Sequence, residues 1–228
     1  MKKFFIFIIT TLLFISGITT SFADDTITEE EFNNLKNNGV YSEDITYKDF
    51  INSLNAYEDE SNILKSPRYV NNNAFRPRKG DIVTTGASNT ASNGVIGHAG
   101  IFIDNNNILH IAGSNTNKIT TLTWSQWKDR YRYRHSNRVF RVPNSTIANQ
   151  AANWVIRNYK GKSPGYGISS NWRSTSPTYC SKIVWQGYYF GTGSAPVMKK
   201  PIEPFIIHPK LMASYFNRGY APIAVYYK

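Results

Sequence analysis

Cys180 is the only cysteine of the 228-residue chain, and it stands where a loop rich in Gly, Ser and Pro gives way to an amphipathic stretch. A cysteine at the first residue of a helix lies beside unpaired backbone amides and the positive end of the helix dipole, which favour the thiolate. A thiolate with an imidazole to move its proton can carry out acyl transfer. The backbone amide of Cys180 would then be a natural donor to the oxyanion. Position and residue type therefore predict that Cys180 is a nucleophile.

Among four histidines, His98 is best placed to activate this thiol, because it opens an apolar run typical of a strand. His110 lies on the next predicted strand. With a two-residue turn at Asn105-Asn106, His110 would pair with Ile101 and face away from His98. An odd loop or a bulge is therefore required to bring both imidazoles to one face. The predicted catalytic residues, in order of support, are Cys180, His98 and His110.

Two tyrosines, Tyr166 and Tyr179, flank the thiol in the sequence. They would line a cleft or hydrogen-bond a substrate, and packing in the core is the alternative. For the cysteine and the histidines the alternative is also structural: a buried thiol and strand imidazoles whose nitrogens are satisfied by neighbours. A single cysteine excludes an intramolecular disulfide framework and a cysteine-rich metal centre.

Four segments of the sequence resemble the NlpC-type papain-like cell-wall peptidases. Three of them match the strand region of that family and one matches its nucleophile helix. They are Gly80-Asp81-Ile82-Val83, Gly97-His98-Ala99-Gly100-Ile101-Phe102-Ile103-Asp104, Ile108-Leu109-His110-Ile111-Ala112 and Tyr179-Cys180-Ser181-Lys182-Ile183-Val184-Trp185. The cysteine segment here follows the histidine segment, and this order resembles the circularly permuted branch, the YiiX- and YycO-like proteins, which are related to lecithin–retinol acyltransferase-like enzymes.

The resemblance covers roughly residues 76–228 and implies an α+β, permuted papain-like fold with an antiparallel sheet packed against helices. It implies that Cys180 is the nucleophile, that His98 is the general base and acid, and that His110 is the polar residue that orients the imidazole. It implies no cofactor and no metal, although His98, His110 and Cys180 together could form a metal site on paper.

The chain divides into three predicted parts. Residues 1–23 have a basic start, an apolar run and a small-residue cleavage site, which predict a secretory signal peptide and export. Residues 24–75 hold 11 acidic and four basic side chains, a net charge of −7, and read as a small helical extension. This extension would be either a prosegment over a basic cleft or a solvated appendage. Residues 76–228 hold 20 basic and four acidic side chains, a net charge of +16, and form the predicted catalytic domain.

Hydrophobic periodicity and capping residues predict the elements that would position these side chains. The predicted strands lie at 82–84, 98–103, 107–112, 138–142 and 221–227. The predicted helices lie at 29–37 with Thr28 as cap, at 47–56, from about 123, at 146–159 with Ser145 as cap, and from about 180.

Residues 124–134 interleave basic and aromatic side chains. They predict either contact with a polyanion or membrane surface, or a helix whose tryptophans pack inward while its arginines stay in solvent.

The leading functional hypothesis is a secreted, cell-wall-associated cysteine amidohydrolase that cleaves peptide stems of peptidoglycan through an acyl-enzyme. The alternatives are a lipid or small-amide hydrolase or acyltransferase of the same fold, and a non-catalytic wall-binding module. The expected partners are a cell-wall peptide or another amide substrate, with an anionic wall polymer or a membrane surface as a further contact. Nucleic-acid binding is not expected, because only charge supports it.

Overall fold

The computed structural model describes residues 27–61, 72–86, 97–113, 117–132 and 137–228. The predicted signal peptide lies outside these residues, and its export function stays a prediction. Of the helices in the described part of the chain, none is long and apolar enough to cross a membrane.

Six strands form one antiparallel sheet in the order β4-β3-β2-β1-β5-β6, which confirms the predicted α+β fold class. Five of the strands lie close to their predicted positions. The strand β4 was not predicted, because its run of threonines and its single leucine carry little hydrophobic signal. The strands are β1 (Ile82–Thr85), β2 (His98–Phe102), β3 (Asn107–Ile111), β4 (Ile119–Thr123), β5 (Asn137–Arg141) and β6 (Ile223–Tyr227).

Among the described residues, five α-helices accompany the sheet: α1 (Glu29–Asn37), α2 (Tyr47–Ser61), α3 (Trp124–Arg130), α4 (Ser145–Tyr159) and α5 (Cys180–Phe190). Helix α1 has the predicted bounds and begins with a capping box between Thr28 and Glu31. The predicted cap of α4 is wrong by one residue. Asn144 caps this helix, because its Oδ1 accepts hydrogen bonds from the amides of Thr146 and Ile147 at 3.0 and 3.2 Å.

The sheet carries an apolar core on each face. The larger core contains Ile82, Ala99 and Ile101 together with the buried sides of α4 and α5. The smaller core lies on the other face, where Trp127 of α3 is fully buried. It is completed by Phe75, Val83, Phe102, Ile108, Tyr131, Val139 and Tyr226. Successive strand residues face opposite sides of a sheet. Alternate residues of β1 and β2 therefore belong to the larger and the smaller core.

The acidic N-terminal segment shares the larger core. Phe32, Tyr41 and Phe50 are buried in it and their rings are in contact. The backbone of Tyr41 bridges Ile168, with the amide of residue 168 donating to the carbonyl of residue 40 at 2.9 Å. The acidic N-terminal segment therefore packs into the same core as the sheet and its helices. The domain boundary predicted at residue 75 remains a prediction.

A buried ion pair holds the sheet at the start of β1. Asp81 is 1% exposed, and both its carboxylate oxygens accept from the Arg141 guanidinium at 2.8 and 2.6 Å. Its Oδ2 also accepts from the amide of Arg78. A bidentate pair of this kind fixes orientation as well as distance, so it aligns β1 with the end of β5.

Candidate active site

The β2–β3 hairpin brings the two predicted histidines together. Ile101 pairs with Leu109 and Phe102 with Ile108, so the pairing of Ile101 with His110 expected for a two-residue turn is wrong. Since Ile103 donates to the carbonyl of Asn107 at 2.8 Å, the connection has three residues, which is the odd length that one shared face requires.

The side chain of Asp104 sets this loop length. Its Oδ1 accepts from the amides of Asn106 and Asn107 at 2.8 and 2.7 Å, and its Oδ2 accepts from the side-chain amide of Asn107. An aspartate that folds back on the next backbone amides stabilises a turn at this point. The sequence Asp-Asn-Asn-Asn thereby selects the register of both histidines.

The imidazoles of His98 and His110 are hydrogen-bonded, with 2.9 Å between Nε2 of His98 and Nδ1 of His110. Nε2 of His110 lies 3.1 Å from the hydroxyl of Thr120 on β4. Burial, with a smaller contribution from the charge of Arg130, lowers the pKa of His110 from 6.5 to about 3. His110 is therefore neutral at physiological pH and can act as an acceptor for His98.

Aromatic rings of α3 cover this pair. The indole of Trp127 stacks on His98 at 5.3 Å and meets His110 edge-on at 5.3 Å, and the ring of Tyr131 lies 5.2 Å from His98. A Cβ at position 100 would lie 2.5 Å from Ile108 and 3.1 Å from Trp127, so only glycine fits at this position in the predicted motif. The packing holds both imidazoles in one orientation.

Cys180 is the first residue of α5 and is 3% exposed. Tyr179 occupies the cap position without a side-chain cap bond, so the first amides of the helix have no side-chain cap. The position matches the one expected for an activated thiol, and it gives the Cys180 amide the geometry of a helix start.

Two chains of contacts connect α5 with β2, one near each end of the two elements. In the first, the hydroxyl of Tyr188 donates to the carbonyl of Gly80, whose amide donates to the carbonyl of Phe102. Cys180 lies eight residues before Tyr188, about 12 Å along a helix. His98 lies four residues before Phe102, about 13 Å along a strand. This chain of contacts joins the C-terminal part of α5 to the C-terminal end of β2.

The second chain of contacts passes through the C-terminal segment. The amide of Ile207 donates to the Tyr179 hydroxyl at 3.0 Å, and the Ser181 hydroxyl donates to the carbonyl of Ile207. Two residues later, the Cβ of Pro209 would lie 3.6 Å from a Cβ placed on Gly97. Residues 207–209 thus link the start of α5 to the residue before His98.

The thiol and the imidazoles are assigned to different cores. Cys180 belongs to the same larger core as Ala99 and Ile101, whereas His98 contacts Trp127 of the smaller core. His98 is the first residue of β2, so its ring lies at one end of the strand.

Both predicted flanking tyrosines lie at Cys180. Tyr166 bridges Thr178, which places it beside the residues that lead into α5. Desolvation, followed by the charges of Cys180, Tyr41 and Tyr179, raises the pKa of Tyr166. Desolvation likewise raises the pKa of Tyr179, with the Cys180 charge as a smaller cause. Tyr166 is half-buried and Tyr179 is buried, so Tyr166 is the one with access to solvent.

The basic and aromatic run is a helix with inward tryptophans over the part of it that the structure describes. Thr123 caps α3, Trp127 is fully buried and Trp124 is partly covered by Phe75 and Tyr226. Lys128 and Arg130 are exposed. This confirms the packing interpretation for the helix, while residues 133 and 134 lie outside the described residues.

Sequence reasoning missed Thr120 altogether, because the strand that carries it was not predicted. The signal that could have found it is the cluster of β-branched residues at 119–121. In the described part of the chain, no group of three His, Cys, Asp or Glu side chains is arranged to hold a metal ion.

Comparison with known proteins gives a family. Residues 40–222 match the family described as lipoprotein N-acylation protein LnsA-like, and the match begins inside the acidic segment. An uncharacterised 30.3 kDa protein of Bacillus thuringiensis is 34% identical over 164 residues, which are 66% of this chain but 57% of that relative. No solved structure matches the chain. Since the family match covers well over half of its length, the chain belongs to the lipoprotein N-acylation protein LnsA-like family.

Proposed function

We propose that the protein is a cysteine acyltransferase that carries an acyl group on Cys180 and passes it to an amine. The observation that carries the proposal is the hydrogen-bonded His98–His110 pair, which follows a residue that the segment 207–209 links to the start of α5. The family description, which names N-acylation, supports the acyltransferase alternative over the cell-wall peptidase hypothesis. The fold would be the permuted papain-like arrangement of the YiiX- and YycO-like proteins.

The first half-reaction forms a thioester. Nδ1 of His98 accepts the Cys180 proton while Nε2 of His98 donates to His110. The thiolate attacks the carbonyl carbon of an acyl ester, and the Cys180 amide donates to the oxyanion that develops. The ester C–O bond breaks, and the leaving alkoxide takes the proton from His98 and departs as an alcohol. The acyl group is then held on sulfur.

The second half-reaction transfers the acyl group to nitrogen. A neutral amine attacks the thioester carbonyl and loses a proton to His98, so an amide forms as the C–S bond breaks. The thiolate then recovers its proton from His98. If water replaced the amine, the same thioester would be hydrolysed. The amidohydrolase hypothesis shares this acyl-enzyme and differs in the group that attacks it. Exclusion of water by buried rings around His98 favours the amine.

The substrates follow from the two half-reactions. The donor would be a lipid acyl ester, and the acceptor would be the N-terminal amine of a lipoprotein. Export by the predicted signal peptide would bring the enzyme to the side of the membrane where such proteins are displayed. The exposed bases of α3, Lys128 and Arg130, would contact an anionic membrane surface.

The test uses the full mature chain, phospholipid vesicles and a lipidated peptide with a free N-terminal amine. Mass spectrometry should detect one acyl group on the peptide and an acyl adduct on Cys180. Cys180→Ala should abolish both, whereas Cys180→Ser should slow the reaction and accumulate an ester. An intact thiol with no adduct and unmodified peptide would refute acyl transfer. Release of peptides from isolated peptidoglycan, incubated separately with the mature chain, would restore the amidohydrolase hypothesis.

A further inference from the structure

A line of hydrogen bonds extends past the two histidines to a third side chain. Nε2 of His98 lies 2.9 Å from Nδ1 of His110, and Nε2 of His110 lies 3.1 Å from the Thr120 hydroxyl. His110 and Thr120 are paired across β3 and β4, so the sheet register itself sets the second contact. Thr120 is therefore held against the imidazole by the backbone ladder.

The direction of hydrogen bonding along this line decides whether His98 can be a base. If His110 donates from Nε2 to Thr120, its Nδ1 carries a lone pair and accepts from Nε2–H of His98. Nδ1 of His98 then has a lone pair for the thiol proton. If Thr120 donates instead, His110 carries its hydrogen on Nδ1, and His98 must keep its own hydrogen on Nδ1. In that case His98 has no lone pair to offer the thiol.

We infer that Thr120 is a positioning residue whose hydroxyl accepts from His110 and thereby keeps Nδ1 of His98 unprotonated and basic. The inference rests on the proposed function only in that Nδ1 of His98 accepts the Cys180 proton during acyl transfer. Thr120 acts through two imidazoles and touches no reacting atom. It deepens the proposed mechanism by adding a residue that selects the tautomer of both histidines.

The surroundings leave few groups that could compete with Thr120 for the imidazoles. His110 is 0% exposed and His98 is 6% exposed, so water has little access to either ring. Trp127 contacts both rings and its indole nitrogen is engaged by Asn137 at 3.2 Å, which leaves no indole donor for the imidazoles. Arg130 is the charged group that acts on His110, and it disfavours the imidazolium. The Thr120 oxygen is the hydrogen-bonding side-chain partner described for Nε2 of His110.

The experiment compares three variants on the full chain labelled with ¹⁵N-histidine. Thr120→Val keeps the shape and β-propensity of the side chain but removes the oxygen. Thr120→Ser restores the oxygen. Thr121→Val is the matched control, because Thr121 is the next residue on β4, is exposed and pairs with Leu109. The nitrogen chemical shifts report the tautomer of each ring, and iodoacetamide alkylation of Cys180 across pH reports the thiolate.

The wild type and Thr121→Val should both show His110 protonated on Nε2. Thr120→Val leaves Nε2 of His110 without its acceptor, so His110 should carry its hydrogen mainly on Nδ1, and acyl-enzyme formation and thiol alkylation near neutral pH should slow by about 10- to 100-fold. Thr120→Ser should restore both. A wild-type His110 protonated on Nδ1 overturns the inference even if Thr120→Val fails to fold, and so does an unchanged tautomer and rate in Thr120→Val. If the tautomer and alkylation results hold but no acyl-enzyme forms, the inference stands and the acyltransferase proposal fails.

Discussion

Two hydrogen-bonded pairs that contain buried histidines lie in different parts of the molecule. His98 contacts His110 on the β2–β3 hairpin, whereas Nε2 of His208 lies 2.7 Å from the hydroxyl of Ser53 on α2. The Ser53 hydroxyl donates to the carbonyl of Phe50 at 2.8 Å, so it accepts from His208. Burial lowers the pKa of both His110 and His208 from 6.5 to about 3, with smaller contributions from Arg130 and Lys210.

The difference lies in what each pair adjoins. The His98–His110 pair includes the first residue of β2, and residues 207–209 link the residue before it to the start of α5. The Ser53–His208 pair is enclosed by Phe50 and lies between α2 and the C-terminal segment. Ser53 and His208 have the residue types of a nucleophile and its base. The Ser53 hydroxyl, however, donates its hydrogen to the carbonyl of Phe50. Under the proposed function, similar chemistry would serve catalysis in one place, whereas in the other it attaches the acidic segment.

The largest effect should come from His98→Ala. Loss of the general base should reduce acyl-enzyme formation by about 100-fold or more. Alkylation of Cys180 near neutral pH should also slow, because no imidazole then takes the thiol proton. Ser53→Ala, which breaks the other pair, should keep the wild-type rates of acyl-enzyme formation and alkylation. An unchanged alkylation rate in His98→Ala would mean that the His98 imidazole does not act on the sulfur.

Acid should destabilise the fold through both pairs. Because the pKa values of His110 and His208 are lower in the folded chain than in the unfolded one, the unfolded chain binds more protons between pH 6.5 and about 3. The contribution of the two neutral histidines to the free energy of unfolding therefore has its full value above pH 6.5 and falls as the pH drops from 6.5 to about 3. Each group contributes up to about 1.4 kcal/mol per pH unit.

His208→Gln should remove one of these two slopes, because glutamine can donate to Ser53 without titrating. Urea unfolding at pH 7, 6 and 5 measures the slope. An equally steep loss of stability in His208→Gln would show that His208 does not contribute to it.

Ser53→Ala should destabilise the protein by a smaller amount. The change leaves the Nε2–H of His208 buried without its acceptor, which costs about 1–3 kcal/mol. Urea unfolding at pH 7 measures this cost. Ser53→Thr keeps the hydroxyl and serves as the control, and a variant with alanine as stable as the wild type would remove the attachment role.

The smallest effect is expected for Tyr41→Phe. Within the described residues the buried Tyr41 hydroxyl has no hydrogen-bond partner, so its removal should change the unfolding free energy by less than about 0.5 kcal/mol or raise it. Tyr159→Phe is the partnered counterpart, because the Tyr159 hydroxyl contacts Thr178 and Gln186. It should cost about 1 kcal/mol. Equal losses in the two variants would indicate that Tyr41 does have a partner in solution.

Local sequence signals predicted most of the fold. The Thr28 capping box, the apolar run from His98 and the helix start at Cys180 each depend on residues close in the chain, and each appears where expected. The cap of α4 moved by one residue because Asn144 and Ser145 are both good caps and only the backbone decides between them. The threonine-rich β4 gave no apolar alternation to detect.

The candidate site was predicted in its residues but not in its geometry. The register of the hairpin depends on the side chain of Asp104, and a one-residue difference in loop length moves His110 to the other face. The Thr120 contact depends on a strand pairing between segments that the sequence does not link. The place of Cys180 in the larger core follows from the packing of α5, which no local pattern encodes.

The bridge between Tyr41 and Ile168 has a practical consequence for anyone trimming this protein. A fragment that starts at residue 76 would lack the rings of Phe32, Tyr41 and Phe50, and it would leave Ile168 and His208 facing water. Such a fragment should aggregate or require detergent. A shortened version meant for crystals or assays should retain everything from Ile27 onward.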